Sequence, residues 1–193
     1  MTSDELTKNW NSNFPNFSPI AHELKNKFNE RWFRIHTLPE SKRYPEDEEE
    51  FSEILRRHNS ILTDLFGANQ KYFLLTNSYG LSLEKIKKEA KLVKLNLQKN
   101  YWQSINIVED GEFEPYYWHI YFDEKDWGEG SIDDLLSLVA NDAIGNVILF
   151  SADKKIAYHP YDGGADIIFE NSDLRDFYKE KYKDWLSIYP SGL

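Results

Sequence analysis

The chain contains no cysteine. That absence removes disulfides, thiolate metal sites and a cysteine nucleophile together. It also suits a reducing compartment. No stretch approaches the roughly 18 consecutive apolar residues that a membrane helix needs. The opening residues Met1-Thr2-Ser3-Asp4-Glu5-Leu6 lack the basic-then-apolar order of a secretory leader. The expectation is a soluble, cytoplasmic protein with no membrane partner. Positive charge is also scarce. Lys and Arg number 23 against 33 Asp and Glu, a net charge of −10. Phosphates are met by clustered Lys and Arg, so nucleic acid is not expected as a direct ligand. Gly-x-Ser-x-Gly and Gly-rich dinucleotide or phosphate-loop motifs are missing. The five histidines (His22, His36, His58, His119 and His159) form no i, i+4 ligand pair. No cofactor and no metal are therefore expected.

What is present is a foldable composition. Hydrophobic residues make up 40% and aromatics 16% of the 193 residues, enough for one domain with its own core. Asn9 to Pro19 reads as part of an irregular lead-in over 1–19, anchored by Trp10, Phe14 and Phe17. Ser18-Pro19 places a cap and a first-turn proline ahead of a short helix, Ile20 to Phe28. Trp32 to His36 alternates as a strand. Phe51, Ile54, Leu55, His58, Ile61, Leu62 and Leu65 keep helical spacing. Acidic residues Glu46 to Glu50 lie at the helix start, where its dipole favours them, and Gly67 is the stop. On the apolar stripe, His58 is expected to be a hydrogen-bonded core histidine.

Tyr72 to Thr76 suggests a central strand, and Leu83 to Leu95 a lysine-rich helix. Gln103 to Val108 and Tyr116 to Phe122 suggest a hairpin around Glu109-Asp110-Gly111. Ile132 to Ala143 is helical. Three strands follow, at Asn146 to Ser151, Lys155 to His159 and Asp166 to Phe169. A final helix begins at Ser172 and would bury Leu174, Phe177, Tyr178, Tyr182, Trp185 and Ile188. Mixed elements with hairpin-like neighbours predict a single α+β domain, a mainly antiparallel sheet packed with helices.

Two segments carry side chains capable of chemistry. In His159-Pro160-Tyr161-Asp162-Gly163-Gly164-Ala165-Asp166, the residues His159, Asp162 and Asp166 could bind a divalent metal and support a hydrolase. Asp-Gly and Gly-Gly are also standard dipeptides of a tight strand connection, which is the stronger reading. In the segment from Arg34 to Pro45, Arg34, Lys42 and Arg43 could hold a phosphate or carboxylate. The simpler account pairs Arg34 with an acid on the sheet face.

Charge is placed unevenly. From Glu109 to Asp134, ten acidic residues face one base, Lys125, for a local charge of −9. Leu81 to Asn100 carries six lysines against Glu84 and Glu89. An acidic surface could steer a basic partner. The candidate contact set is Glu112, Glu114, Tyr117, Asp123, Glu124, Asp126, Trp127 and Glu129. Along Tyr116 to Phe122, alternation puts Tyr117, His119 and Tyr121 on one side and Tyr116, Trp118, Ile120 and Phe122 on the other. One side is core; the other is a Tyr-rich interface face or is buried too.

Two motifs carry a resemblance. The first is Arg34-Ile35-His36 leading through Pro39-Glu40-Ser41-Lys42-Arg43-Tyr44 into the helix after Glu46. The second is Tyr161-Asp162-Gly163-Gly164-Ala165-Asp166, followed by a helix ending Tyr182-Lys183-Asp184-Trp185-Leu186. In these the chain resembles an uncharacterised bacterial family of small cytoplasmic domains. Several relatives of that family lie near polymorphic toxin genes. The resemblance implies an immunity role: binding a cognate toxin domain, expected to be basic. It implies no catalytic residue. Gly163 stands where the family's usual form has Asp or Arg. Without that role, a metal-dependent hydrolase or a small-molecule or carbohydrate-binding module remain alternatives, and the oligomeric state is open.

Overall fold

The computed structural model describes residues 2–107 and 116–187. Seven strands form one sheet in the order β1-β7-β6-β5-β2-β4-β3, with every neighbouring pair antiparallel. They are β1 (Trp32–His36), β2 (Lys71–Gly80), β3 (Asn100–Ile107), β4 (Tyr116–Asp126), β5 (Ile148–Ser151), β6 (Ile156–Tyr161) and β7 (Gly164–Ile168). The helices are α1 (Ser3–Asn13), α2 (Ala21–Lys27), α3 (Glu48–Phe66), α4 (Ala90–Lys94), α5 (Asp133–Ala140) and α6 (Ser172–Lys181). The α+β reading and the antiparallel sheet therefore hold.

Strand residues alternate between two cores, because successive side chains leave a strand on opposite faces. Tyr72 and Leu74 join Ile61, Leu62, Leu65, Leu136 and Val139 from α3 and α5. Phe73 and Leu75 join Leu6, Trp10, Phe14 and Leu24 from α1 and α2. The sheet is thus the middle of three layers, and its central strands are buried on both faces. α3 forms where its stripe demands. The Asp47 carboxylate accepts from Glu50 N at 2.9 Å, three glutamates occupy the first turn, and Gly67 ends the helix at φ 80°.

Several elements depart from the sequence reading. The lead-in is not irregular. Thr2 and Glu5 form a reciprocal capping box that starts α1, and Leu6, Trp10 and Phe14 are its buried stripe and end. α2 does form, but Ser18 does not cap it. Its first free amide, Ala21 N, donates instead to Asn146 Oδ1 at 2.7 Å, 125 positions away.

The lysine-rich helix shrinks to α4, and 81–89 runs as a strap across β4. The Lys87 carbonyl, which a helix would use four residues on, accepts from the hydroxyls of Ser78 and Tyr121. β2 runs to Gly80, well beyond Thr76. The hairpin of β3 and β4 is present, but its Glu109-Asp110-Gly111 connection lies outside the described residues. On α6, Leu174 and Phe177 are exposed rather than buried. Tyr178, stacked on Phe169 at 5.1 Å, joins the core from the helix, and Tyr182 and Trp185 join it just beyond the helix end. Ile188 lies outside the described residues.

Candidate functional site

The two motifs meet at one corner of the sheet. β6 and β7 are joined by a two-residue turn, Asp162-Gly163, with Tyr161 opposite Gly164 and His159 opposite Asp166. β1 pairs with β7 on its other side, so that Arg34 stands opposite Asp166 and His36 opposite Gly164. A Cβ on Gly164 would lie 2.0 Å from the Ile35 carbonyl oxygen. Glycine is needed there for close backbone approach rather than for an unusual dihedral.

Asp166 is 2% exposed and accepts three hydrogen bonds. Trp32 Nε1 donates at 2.8 Å, Arg34 Nε at 2.8 Å and Arg34 Nη2 at 2.9 Å. The guanidinium and carboxylate form a two-pronged pair, which fixes both side chains. The Arg34 guanidinium also lies 4.6 Å from the centre of the Tyr161 ring. Asp162, also buried, accepts from Tyr44 Oη at 2.7 Å and pairs with Arg43 Nε at 2.7 Å. This ties the loop after β1 to the β6–β7 turn. Arg34, Arg43, Tyr44, Asp162, Gly163, Gly164 and Asp166 are therefore one assembly. His36 touches it through its main chain, opposite Gly164, and Glu40 lies outside it. The His36 carbonyl accepts from Arg57 Nη1 at 3.0 Å, and Glu40 is an exposed turn residue at φ 56°.

The residues suited to metal chemistry are otherwise engaged. His159 Nδ1 lies 2.9 Å from the Val147 carbonyl. A carbonyl only accepts, so that nitrogen carries the proton. Burial pushes the His159 pKa down, against a smaller opposing effect of Asp166. Asp162 and Asp166 are held by arginines. Among the described residues, no group of three or more His, Asp or Glu side chains is placed to hold a metal ion. The turn reading of this segment and the Arg34–acid pairing both describe the structure. The His58 expectation holds as well: His58 Nδ1 lies 2.6 Å from Tyr158 Oη in the core.

Among the described residues, the acidic contact set does not form one surface. Glu112 and Glu114 lie outside the described residues. Asp123 is 3% exposed, and its carboxylate accepts from the main-chain amides of Gln98 and Lys99 at 2.8 and 3.2 Å. Trp127 is 2% exposed within the larger core, its indole donating to Thr63 Oγ1 at 3.2 Å. Neither can touch a partner in this fold, because an aromatic-rich stretch beside acids here turns inward. Tyr117 is half-buried near the start of β4, about 30 Å of strand from Asp126. Glu124, Asp126 and Glu129 remain, exposed together around the end of β4. The proposed Tyr-rich face is buried too. His119 and Tyr121 lie beneath the strap, and Trp118, Ile120 and Phe122 pack on the other face.

Two features had no sequence signal. Ser104 Oγ lies 2.7 Å from His119 Nδ1, with Tyr101 Oη 2.8 Å from the same hydroxyl. His119 Nε2 is enclosed beneath Gly80 and meets no carboxylate, so the orienting third member of a catalytic triad is lacking among the described residues. A cleft of about 250 Å³ is lined by His22, Tyr79, Trp118, Asn146, His159 and Tyr161, among others. These residues come from α2, β2, β4 and β6 and the loop before β5, so only the folded sheet brings them together.

A family model described as "Domain of unknown function (DUF3885)" matches residues 20–190, and the chain belongs to that family. No curated protein and no solved structure matches it.

Proposed function

We propose that this member of the DUF3885 family is a non-catalytic binding protein that neutralises a basic protein partner. A bacterial toxin domain held in check in the cytoplasm is the partner the reading favours. One observation carries it. The side chains fit for chemistry are consumed in fixed internal pairs, Arg34–Asp166, Arg43–Asp162 and His58–Tyr158, whereas the −10 net charge is expressed by exposed carboxylates. Glu124, Asp126 and Glu129 are the members of the contact set that stay exposed, the first two in ion pairs with Lys71. Lys71 is their near neighbour, 2.9 Å from Glu124 and 3.9 Å from Asp126. Such a surface would act mainly on the association rate, drawing in a positively charged protein at low salt.

The test is capture of a partner by the tagged protein, followed by association kinetics. Replacing Glu124, Asp126 and Glu129 together by lysine should slow association at least tenfold at low salt. The difference should shrink as salt rises. An unchanged rate would remove this surface from the reading. A captured partner of acidic character would remove the reading itself.

The cleft beside α2 favours a second reading, a small-molecule or carbohydrate-binding module. Tyr79 is 59% exposed at its mouth, and Trp118 lies in its wall. Saturation-transfer NMR with a panel of monosaccharides tests it. Binding that survives Tyr79→Ala and Trp118→Phe would place the ligand elsewhere.

A further inference from the structure

The sheet has two edges, and they are built differently. β1 is five residues long and mostly buried, carries Arg34, and has its last carbonyl, on His36, bonded by Arg57. β3 is eight residues long, Asn-Tyr-Trp-Gln-Ser-Ile-Asn-Ile, and its residues are exposed or half-exposed. It contains no charged residue, no proline and no glycine. One side pairs with β4 along its length. Among the described residues, nothing pairs with the main-chain groups on its other side.

An open strand edge is a template for another strand. Natural sheets blunt such edges with lysine, proline, short length or a covering element. Among the described residues, β3 has one irregularity, at Tyr101/Gln103, and no lysine, proline or short length; α1 touches it only on the sheet face, where the Trp102 indole donates to Thr7 Oγ1 at 2.9 Å. From Gln103 to Ile107 it runs unbroken.

We propose that β3 is a docking edge for β3 of a second copy of this chain. Two identical strands would run antiparallel and join the two sheets into one. The charge pattern selects this occupant. A basic partner is recognised by carboxylates, and β3 offers none. A second copy is repelled by a net charge of −10 over most of the surface, but not at an edge without charge. In sequence, β3 is entered from the lysine-rich stretch 81–100 and followed by Glu109, Asp110, Glu112 and Glu114. Antiparallel pairing puts the start of β3 in one copy, preceded in sequence by Lys99, beside the end of β3 in the other, followed in sequence by acidic residues. About half of the eight residues turn their N–H and C=O outward, so pairing forms roughly eight main-chain hydrogen bonds.

The test is sedimentation velocity of the full chain across a wide concentration range, with amide hydrogen exchange at both extremes. The expected result is a monomer–dimer equilibrium in which outward-facing β3 amides exchange at least tenfold more slowly at high concentration. Tyr101→Lys with Asn106→Lys, both at exposed positions, should leave the far-UV spectrum and melting cooperativity intact and abolish the dimer. A wild-type chain that stays monomeric at every concentration overturns the proposal. So does a dimer that persists in the folded double variant, or whose β3 amides exchange freely. Glu124, Asp126 and Glu129 are untouched in that variant, so loss of the dimer and loss of partner capture are read separately.

Discussion

Arg34 and Asp166 stand directly opposite each other across the β1–β7 pair, joined by two hydrogen bonds of 2.8 and 2.9 Å. The residues lie 132 positions apart in sequence, and their pairing locks the edge strand to the hairpin. Removing one partner leaves the other charge buried. Asp166→Ala should therefore cost about 3–5 kcal/mol. Replacing both, as Arg34→Met with Asp166→Leu, should cost less than the sum of the two single changes. Urea unfolding of the four proteins in a double-mutant cycle measures this. Simple additivity would show that the pair contributes no coupling.

His58 makes stability pH-dependent. Burial holds its pKa down at about 3, against about 6.5 in an unfolded chain. Below pH ~6.5 the unfolded chain therefore binds a proton that the folded chain refuses, and stability falls as pH drops from about 6.5 toward 3. Above that window the group contributes no pH dependence. Burial lowers His36, His119 and His159 in the same direction. Melting temperatures measured from pH 8 to 4 should decline on the acid side. His58→Phe should flatten part of that slope, though it also removes the partner of Tyr158. An unchanged slope would assign the acid sensitivity to the other histidines.

Gly163 and Gly164 are adjacent but should respond differently. An alanine Cβ at Gly164 would meet the Ile35 carbonyl at 2.0 Å, and a main chain cannot rotate out of the way. Gly164→Ala should cost about 3 kcal/mol or more, at or beyond the upper end of overpacking. At Gly163 the nearest atoms are Tyr161 Cε2 at 3.0 Å and Arg43 Cγ at 3.3 Å, both on side chains. Gly163→Ala should cost under about 1 kcal/mol. Chemical denaturation of the two variants decides it; equal losses would show that the main chains of β1 and β7 move apart to admit the methyl group.

Asn146 acts as a cap from outside the helix. Its side chain accepts from Ala21 N at 2.7 Å and donates to the Pro19 carbonyl at 3.3 Å. Asn146→Ala should cost about 1–2 kcal/mol, as loss of a cap does. The loss should appear as faster amide exchange in α2. Exchange unchanged from wild type would mean that water replaces the amide without penalty.

Much of the architecture follows from local pattern. α3 needs only its stripe, its acidic first turn and Gly67. The β6–β7 turn is encoded by Asp162-Gly163-Gly164, and β2 by an apolar run buried on both faces. Local pattern misled where a distant group took over a backbone atom. Lysines at 85–94 suit a helix, but the Lys87 carbonyl is bonded by hydroxyls from β2 and β4. Leu174 and Phe177 fit a buried helical stripe, yet the core contact comes from Tyr178 of α6 and from Tyr182 just past its end. The Thr2/Glu5 capping box was legible in the residues but overshadowed by the Asn, Ser and Pro that follow.

The class of fold, the pairing potential of its hairpins, the net negative charge and the uncharged character of β3 are all legible in the residues alone. Periodicity and charge are properties of neighbours along the chain. Which acids are exposed depends instead on contacts between segments far apart along the chain. Asp123, Asp162 and Asp166 look like surface charges in a list of residues, but long-range strand pairing surrounds each with donors. Glu124, Asp126 and Glu129 stay exposed. The same pairing left β3 at the edge, because strand order depends on contacts between segments far apart, and no local pattern encodes which strand ends without a neighbour.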